Sequence, residues 1–107
     1  MIIYNVTLNI DDSIHTSWLE WMQYHIPEVL GTGLFSKAVF TKVLVEEEQG
    51  GTTYSVQYYA RTKADLQTYQ KHYAAQLQAD GLKRFGDKVL AFRTELQLIE
   101  EFKVTQN

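Results

Sequence analysis

His25 is the residue whose type and position best suit acid–base chemistry in this chain. It shares a helical stripe with Trp18, Trp21 and Met22, at steps of three and four residues. Apolar neighbours disfavour the charged imidazole, so we expect a neutral side chain that acts as a general base or binds a ligand oxygen. The alternative is a packed histidine that hydrogen-bonds a carbonyl or a tyrosine hydroxyl, and the sequence leaves both interpretations open.

Aromatic side chains would form the rest of a pocket around His25. The chain contains seven Tyr and two Trp residues. The catalytic residues are unknown, with His25 as the one candidate, and the candidate ligand-binding residues are His25, Trp18, Trp21, Tyr58, Tyr69 and Tyr73. No two histidines have the spacing of metal ligands and there is no cysteine. We therefore predict no metal site and no cofactor, although an axial haem ligand at His25 stays open.

Composition limits the class of partner. The net charge of −3 and the pI of about 5.5 disfavour nucleic acid, whose binding depends on clustered Lys and Arg. No apolar run reaches the ~20 residues that cross a bilayer, and the first ten residues lack a basic segment, so we predict no membrane partner and a cytoplasmic location. The length suits one domain over residues 1–107, with a less regular tail over about 100–107.

Hydrophobic periodicity predicts six elements. Strict alternation indicates strands over residues 2–10 and 52–60, and stretches rich in β-branched and aromatic residues indicate strands over 35–46 and 88–99. A first helix follows Asp11–Ser13, with a kink expected near Gln23 and Tyr24 because of Pro27 and an end expected at Gly31 and Gly33. A second helix begins at Thr62 and is expected to stop at Gly81.

The order β-α-β-β-α-β predicts an α+β, ferredoxin-like sandwich. Two right-handed crossovers in this order give a four-stranded antiparallel sheet with strand order 4-1-3-2 and both helices on one face. The other face of the sheet would then be uncovered.

The residues predicted for this uncovered face are mainly amides, hydroxyls and a phenol, with little charge. They are Asn5, Thr7, Ser55, Gln57, Tyr59, Arg93 and Glu95. A water-facing sheet more often carries several Lys and Glu residues, so we predict a two-fold homodimer whose uncovered faces meet through hydrogen bonds. A polar ligand cavity between two facing sheets and a plain solvated surface are the alternatives.

Several segments together resemble a known family. MIIYNVTLNI, HIPEVLGTG, KVLVEEEQGGTTYSVQYY and GLKRFGDKVLAFRTEL are similar to a family of small bacterial proteins, common in the Bacteroidetes group, that is known as a domain of unknown function. That family resembles the dimeric α/β-barrel superfamily, whose ferredoxin-like subunits pair sheet against sheet. The superfamily includes cofactor-independent monooxygenases, isomerases and haem enzymes, so the resemblance implies a fold and a dimer but no single chemistry.

Two function classes follow from these observations. A non-catalytic dimeric interaction or regulatory module is narrowly favoured, because no catalytic pair can be assembled from the sequence. The alternative is a cofactor-independent enzyme or small-molecule binder, of monooxygenase or isomerase type, with a pocket near His25. A closed pocket of at least ~300 Å³ touching His25 would distinguish the second class from the first.

Overall fold

The computed structural model describes residues 1–105, which form one four-stranded sheet covered by helices. The strands are β1 (Ile2–Ile10), β2 (Lys37–Lys42), β3 (Thr52–Ala60) and β4 (Val89–Gln97), and the helices are α1 (His15–Leu30), α2 (Lys63–His72) and α3 (Ala74–Phe85). The strand order is β2-β3-β1-β4, with every neighbouring pair antiparallel. Read from the other edge, this confirms the predicted order 4-1-3-2.

The central strands β1 and β3 bury every second side chain, as their alternation predicts. The helices pack on this side of the sheet, which we call the helix-facing side, and we call the opposite side the open face. The core contains Tyr4, Val6, Leu8, Ile10, Tyr54, Val56, Tyr58 and Ala60 from the two strands, with Trp18, Met22, Val29, Phe35, Leu66, Tyr69, Ala74 and Leu77 from outside them.

Helix α1 runs from His15 to Leu30 with Pro27 in its last turns. The helix does not end before the proline, and its last residue is followed by Gly31, whose N–H donates to the Pro27 carbonyl at 2.8 Å. The predicted end at Gly31 is confirmed. Within residues 1–105 no helix has the length and apolar content needed to cross a membrane.

The second predicted helix is divided into α2 and α3 at Tyr73. Its start is as predicted, because the Thr62 hydroxyl accepts the Asp65 N–H at 3.1 Å. The predicted stop at Gly81 is wrong, since α3 continues to Phe85. Gly81 instead lies where α3 meets α1, and a Cβ there would be 3.1 Å from Cη2 of Trp21, so the glycine allows the two helices to approach closely.

Strand β4 has its faces reversed relative to the prediction. Arg93 is paired with Val6 and Glu95 with Tyr4, so both charged residues lie on the helix-facing side and not on the open face. The open face of β4 carries Leu90, Phe92, Thr94 and Leu96. The prediction failed because it placed the more apolar side of the strand under the helices, whereas here that side is exposed.

The segment after β4 has no regular structure through residue 105. The N–H of Leu98 donates to the Met1 carbonyl at 2.9 Å, which fixes the beginning of the segment beside β1. Beyond this bond, Ile99, Phe102 and Val104 are exposed. The predicted tail covered 100–107, and residues 106–107 lie outside the described residues.

Candidate functional site

A cavity of about 500 Å³ lies between the helices and the helix-facing side of the sheet. This volume falls within the range of small-molecule sites, about 300–1,000 Å³. Aromatic rings provide much of its wall: Tyr4, Trp18, Trp21, Tyr58, Tyr69 and Phe85 line it, together with His25 and Arg93. We call it the helix–sheet cavity.

His25 forms part of the cavity wall from α1. Its ring stacks on the indole of Trp21, with centroids 4.3 Å apart and planes inclined by 17°. Burial lowers the pKa of the imidazole below its usual value of 6.5; the Asp80 carboxylate opposes this effect and the Arg93 guanidinium adds to it. His25 is therefore a half-buried, neutral imidazole that can accept a proton from a molecule in the cavity.

Three tyrosines from two strands and a helix meet at the cavity wall. The ring of Tyr4 lies 6.4 Å from that of Tyr58 and 6.1 Å from that of Tyr69, centroid to centroid. Each of these side chains is 4% exposed. Burial raises the pKa of Tyr69 to about 12 and raises that of Tyr58 further, so both phenols remain protonated hydrogen-bond donors over the physiological range.

Among residues 1–105, Arg93 is the one charged residue that lines the cavity. The side chain projects from the exposed edge strand β4, and its guanidinium lowers the pKa values of Tyr4, Tyr69 and His25, in each case as a smaller effect than that of burial. Arg93 is thus close both to the phenols of Tyr4 and Tyr69 and to the imidazole of His25. Sequence reasoning missed this role because it assigned Arg93 to the other side of the sheet.

The structure places most of the predicted pocket residues together. Trp18, Trp21, His25, Tyr58 and Tyr69 all line the cavity. Tyr73 does not, because the chain breaks helical geometry there, at φ −127°, and the side chain is 42% exposed. Tyr4 lines the cavity but was not singled out from the sequence; its place in the buried alternation of β1 was the available signal.

The open face carries the amide and hydroxyl groups predicted from β1 and β3. Asn5 is paired with Gln57 and Thr7 with Ser55. The Ser55 hydroxyl donates to Oδ1 of Asn5 at 2.7 Å, and the Asn5 amide donates to the Thr7 hydroxyl at 3.2 Å. The Tyr59 hydroxyl donates to the Gln57 amide oxygen at 3.4 Å. These side chains therefore bond to one another both along a strand and, from Ser55 to Asn5, across the strands.

Exposed apolar side chains lie on the same face, on the neighbouring strands. Leu90 is 58% and Phe92 75% exposed, and Leu96 and Val39 are also exposed. Pairing places Phe92 beside Thr7 and Val39 beside Gln57, so apolar side chains border the polar network from both edges. Among residues 1–105 there is no cluster of three or more His, Asp or Glu side chains that could hold a metal ion.

Comparison with family models identifies the chain's relatives. A model described as a domain of unknown function, DUF4286, matches residues 1–99. The chain belongs to the DUF4286 family. This confirms the resemblance to a domain of unknown function. A search of curated proteins finds no match to this DUF4286 member.

Solved structures show that the DUF4286 fold is ferredoxin-like. A dimeric ferredoxin-like protein from an uncultured marine organism superposes with a TM-score of 0.72 at 8% identity, covering 94% of this chain and 97% of the other. A "putative antibiotic biosynthesis monooxygenase" from Deinococcus radiodurans gives 0.62 at 15% identity, covering 99% and 100%. An Arabidopsis thaliana protein gives 0.62 at 18% identity, covering 92% and 99%. At these identities the likeness concerns the fold alone.

Proposed function

We propose that this protein binds a small, largely apolar molecule in the helix–sheet cavity, with His25 positioned to exchange a proton with it. The observation that carries the proposal is the cavity of about 500 Å³ that touches His25. An interaction module with no ligand would gain stability by filling this space, because close packing is the rule in protein interiors and voids are costly. The open cavity therefore favours the small-molecule binder over the non-catalytic module.

The polar groups of the cavity wall favour a ligand-binding site over an empty void. A side-chain hydrogen bond with Arg93 lowers the pKa of the Tyr4 hydroxyl, and no fully buried polar side-chain atom in residues 1–105 lacks a partner. Tyr4, Tyr58 and Tyr69 all line the cavity. Three phenol hydroxyls are not expected around a dry apolar void, whereas the walls of ligand pockets are typically apolar with a few polar groups.

Fluorescence offers a direct test, because both tryptophans of the chain line the cavity. We expect the neutral dye N-phenylnaphthylamine to bind and to receive energy transferred from Trp18 and Trp21. Ala91→Phe, which adds a ring inside the cavity, should abolish this transfer. Ala64→Phe adds the same ring at an exposed position of α2, outside the cavity lining, and should leave it unchanged. Absence of transfer in the unmodified protein, or equal transfer in Ala91→Phe, would contradict the proposal.

We also propose that two subunits pair through their open faces. The apolar side chains of Leu90, Phe92 and Leu96 favour burial against a partner, and the amide and hydroxyl groups of the neighbouring β1 and β3 supply hydrogen bonds in a self-complementary, two-fold arrangement. The ferredoxin-like neighbour described as dimeric supports this assembly. The exposed tail residues Phe102 and Val104 would pack on the partner subunit in the same dimer.

A further inference from the structure

The charge of the cavity wall restricts the class of ligand. The protein as a whole is acidic, with a net charge of −3, yet the cavity-lining residues in the described part of the chain, 1–105, include no Asp, Glu or Lys and one Arg. The neighbouring carboxylates, Glu95 and Asp80, act on Tyr4 and His25 respectively but do not line the cavity. With His25 neutral, the positive charge of Arg93 is the one formal charge that a bound molecule meets.

Hydrogen-bond donors lie close to that charge. The guanidinium influences both Tyr4 and Tyr69, whose ring centroids are 6.1 Å apart, and Tyr58 lies next to Tyr4. A guanidinium beside protonated phenols offers several N–H and O–H donors, and an oxyanion is the group that accepts several such donors at once. The guanidinium would repel a cationic head group, and a neutral head group would accept fewer of these hydrogen bonds and lack the charge attraction.

The remainder of the wall suits a planar aromatic body. Trp21 presents a ring already stacked on His25 and contacts Phe85 edge to face, with centroids 5.6 Å apart. Trp18 lines the same space from the next turn of α1. Rings of this kind favour offset-stacked or edge-to-face contacts with another aromatic ring.

We propose that the cavity binds an aromatic acid, with its oxyanion at Arg93 and the hydroxyls of Tyr4, Tyr58 and Tyr69 and its ring system against Trp18 and Trp21. This inference rests on the proposed function, since it assigns a ligand class to the same cavity. The neutral imidazole of His25 then lies on the wall as a proton acceptor that does not compete for the oxyanion.

The test compares naphthylacetate with its neutral amide, naphthylacetamide, by isothermal titration calorimetry on the full chain. The two molecules have the same ring system and nearly the same size, and they differ in charge. We expect the carboxylate to bind at least about tenfold more tightly than the amide, as a charged hydrogen-bonded pair commonly contributes. Added salt should reduce this ratio, because Arg93 lies at the exposed edge of the cavity.

Variants show which side chains cause the difference in affinity between the carboxylate and the amide. Arg93→Gln should reduce the affinity for the carboxylate to about that for the amide, and Tyr69→Phe should weaken carboxylate binding by severalfold. Arg61→Gln makes the same change of charge at an exposed residue outside the cavity lining and should preserve the preference. Circular dichroism and light scattering establish that each variant keeps its fold and mass.

The outcomes separate the two proposals. Equal affinity for carboxylate and amide in the unmodified protein, or an undiminished preference in Arg93→Gln, overturns the aromatic-acid inference while a ligand cavity stands. Binding of neither molecule, together with the absence of energy transfer to N-phenylnaphthylamine, overturns the proposed function itself. The comparison in the unmodified protein needs no variant, so it holds even where a substitution impairs folding.

Discussion

The imidazole of His25 lies stacked on the indole of Trp21, with ring centroids 4.3 Å apart. Trp21 in turn contacts Gly81 and Phe85 of α3, so the histidine is held at the junction of α1, α3 and the cavity. This position explains both its desolvation and its access to a bound molecule. A fully packed histidine would have the first property without the second.

NMR titration should show a midpoint for His25 below 6.5, because burial disfavours the imidazolium. Since the unfolded chain then binds more protons than the folded one, the free energy of unfolding should decrease as the pH falls from about 6.5 through the folded-state pKa. His25→Asn should remove this component of the pH dependence. A midpoint at or above 6.5 would contradict the buried position of the ring.

At alkaline pH the buried tyrosines of the cavity wall should make the protein less stable. The folded-state pKa of Tyr69 is about 12, against an ordinary value of 10, so the unfolded chain loses its proton first. The free energy of unfolding should therefore decrease as the pH rises above about 10. Tyr69→Phe should flatten this decline, as measured by urea unfolding at a series of pH values. An unchanged decline in Tyr69→Phe would place the late-titrating group elsewhere.

Phe92→Asp should separate the subunits, because it places a charge between Leu90 and Leu96 on the open face proposed as the interface. Light scattering should report about twice 12.4 kDa for the unmodified protein and a single chain mass for the variant. Leu44→Asp makes a similar change at an exposed residue between β2 and β3, outside the paired strands, and should leave the mass unchanged. A monomeric unmodified protein at micromolar concentration would refute the open-face dimer.

The two glycines between β2 and β3 should differ in their tolerance of alanine. Both have positive φ, 83° at Gly50 and 81° at Gly51, which costs any residue with a Cβ about 1–2 kcal/mol. At Gly51 the Cβ would also lie 2.8 Å from the Ile10 carbonyl oxygen, whereas Gly50 has no atom within 4 Å. Chemical unfolding should therefore show a larger decrease in the free energy of unfolding for Gly51→Ala than for Gly50→Ala. Equal losses would mean that the strand contact at Gly51 is absent.

Alternation predicted the central strands well, and it failed at the edge strand β4. β1 and β3 have the predicted bounds because each has one helix-covered side, and the strand order followed from the element order. In β4 the apolar side, with Leu90 and Phe92, is exposed, while Arg93 lies at the edge of the cavity. The hydrophobic pattern identifies the more apolar side of a strand, and it does not show whether the helices lie on that side.

The cavity itself could not be predicted from sequence patterns. Trp18, Trp21 and His25 were predicted to share a face, and they do, but the space in front of them depends on where α3 lies relative to the sheet. The helix is divided at Tyr73, and continuous periodicity gave no sign of this break. For the same reason Tyr73 was assigned to the pocket although it is turned towards solvent.

Chemical-shift mapping of the isotope-labelled protein with naphthylacetate tests the central claim, ligand binding in the helix–sheet cavity, most directly. We predict shifts for the indole N–H groups of Trp18 and Trp21 and the ring of His25, together with backbone amides of β4 near Ala91 and Arg93 that line the cavity. The neutral amide should perturb the same residues at higher concentration. Shifts confined to the open face around Phe92, or no shifts at high ligand concentration, would contradict ligand binding in the helix–sheet cavity.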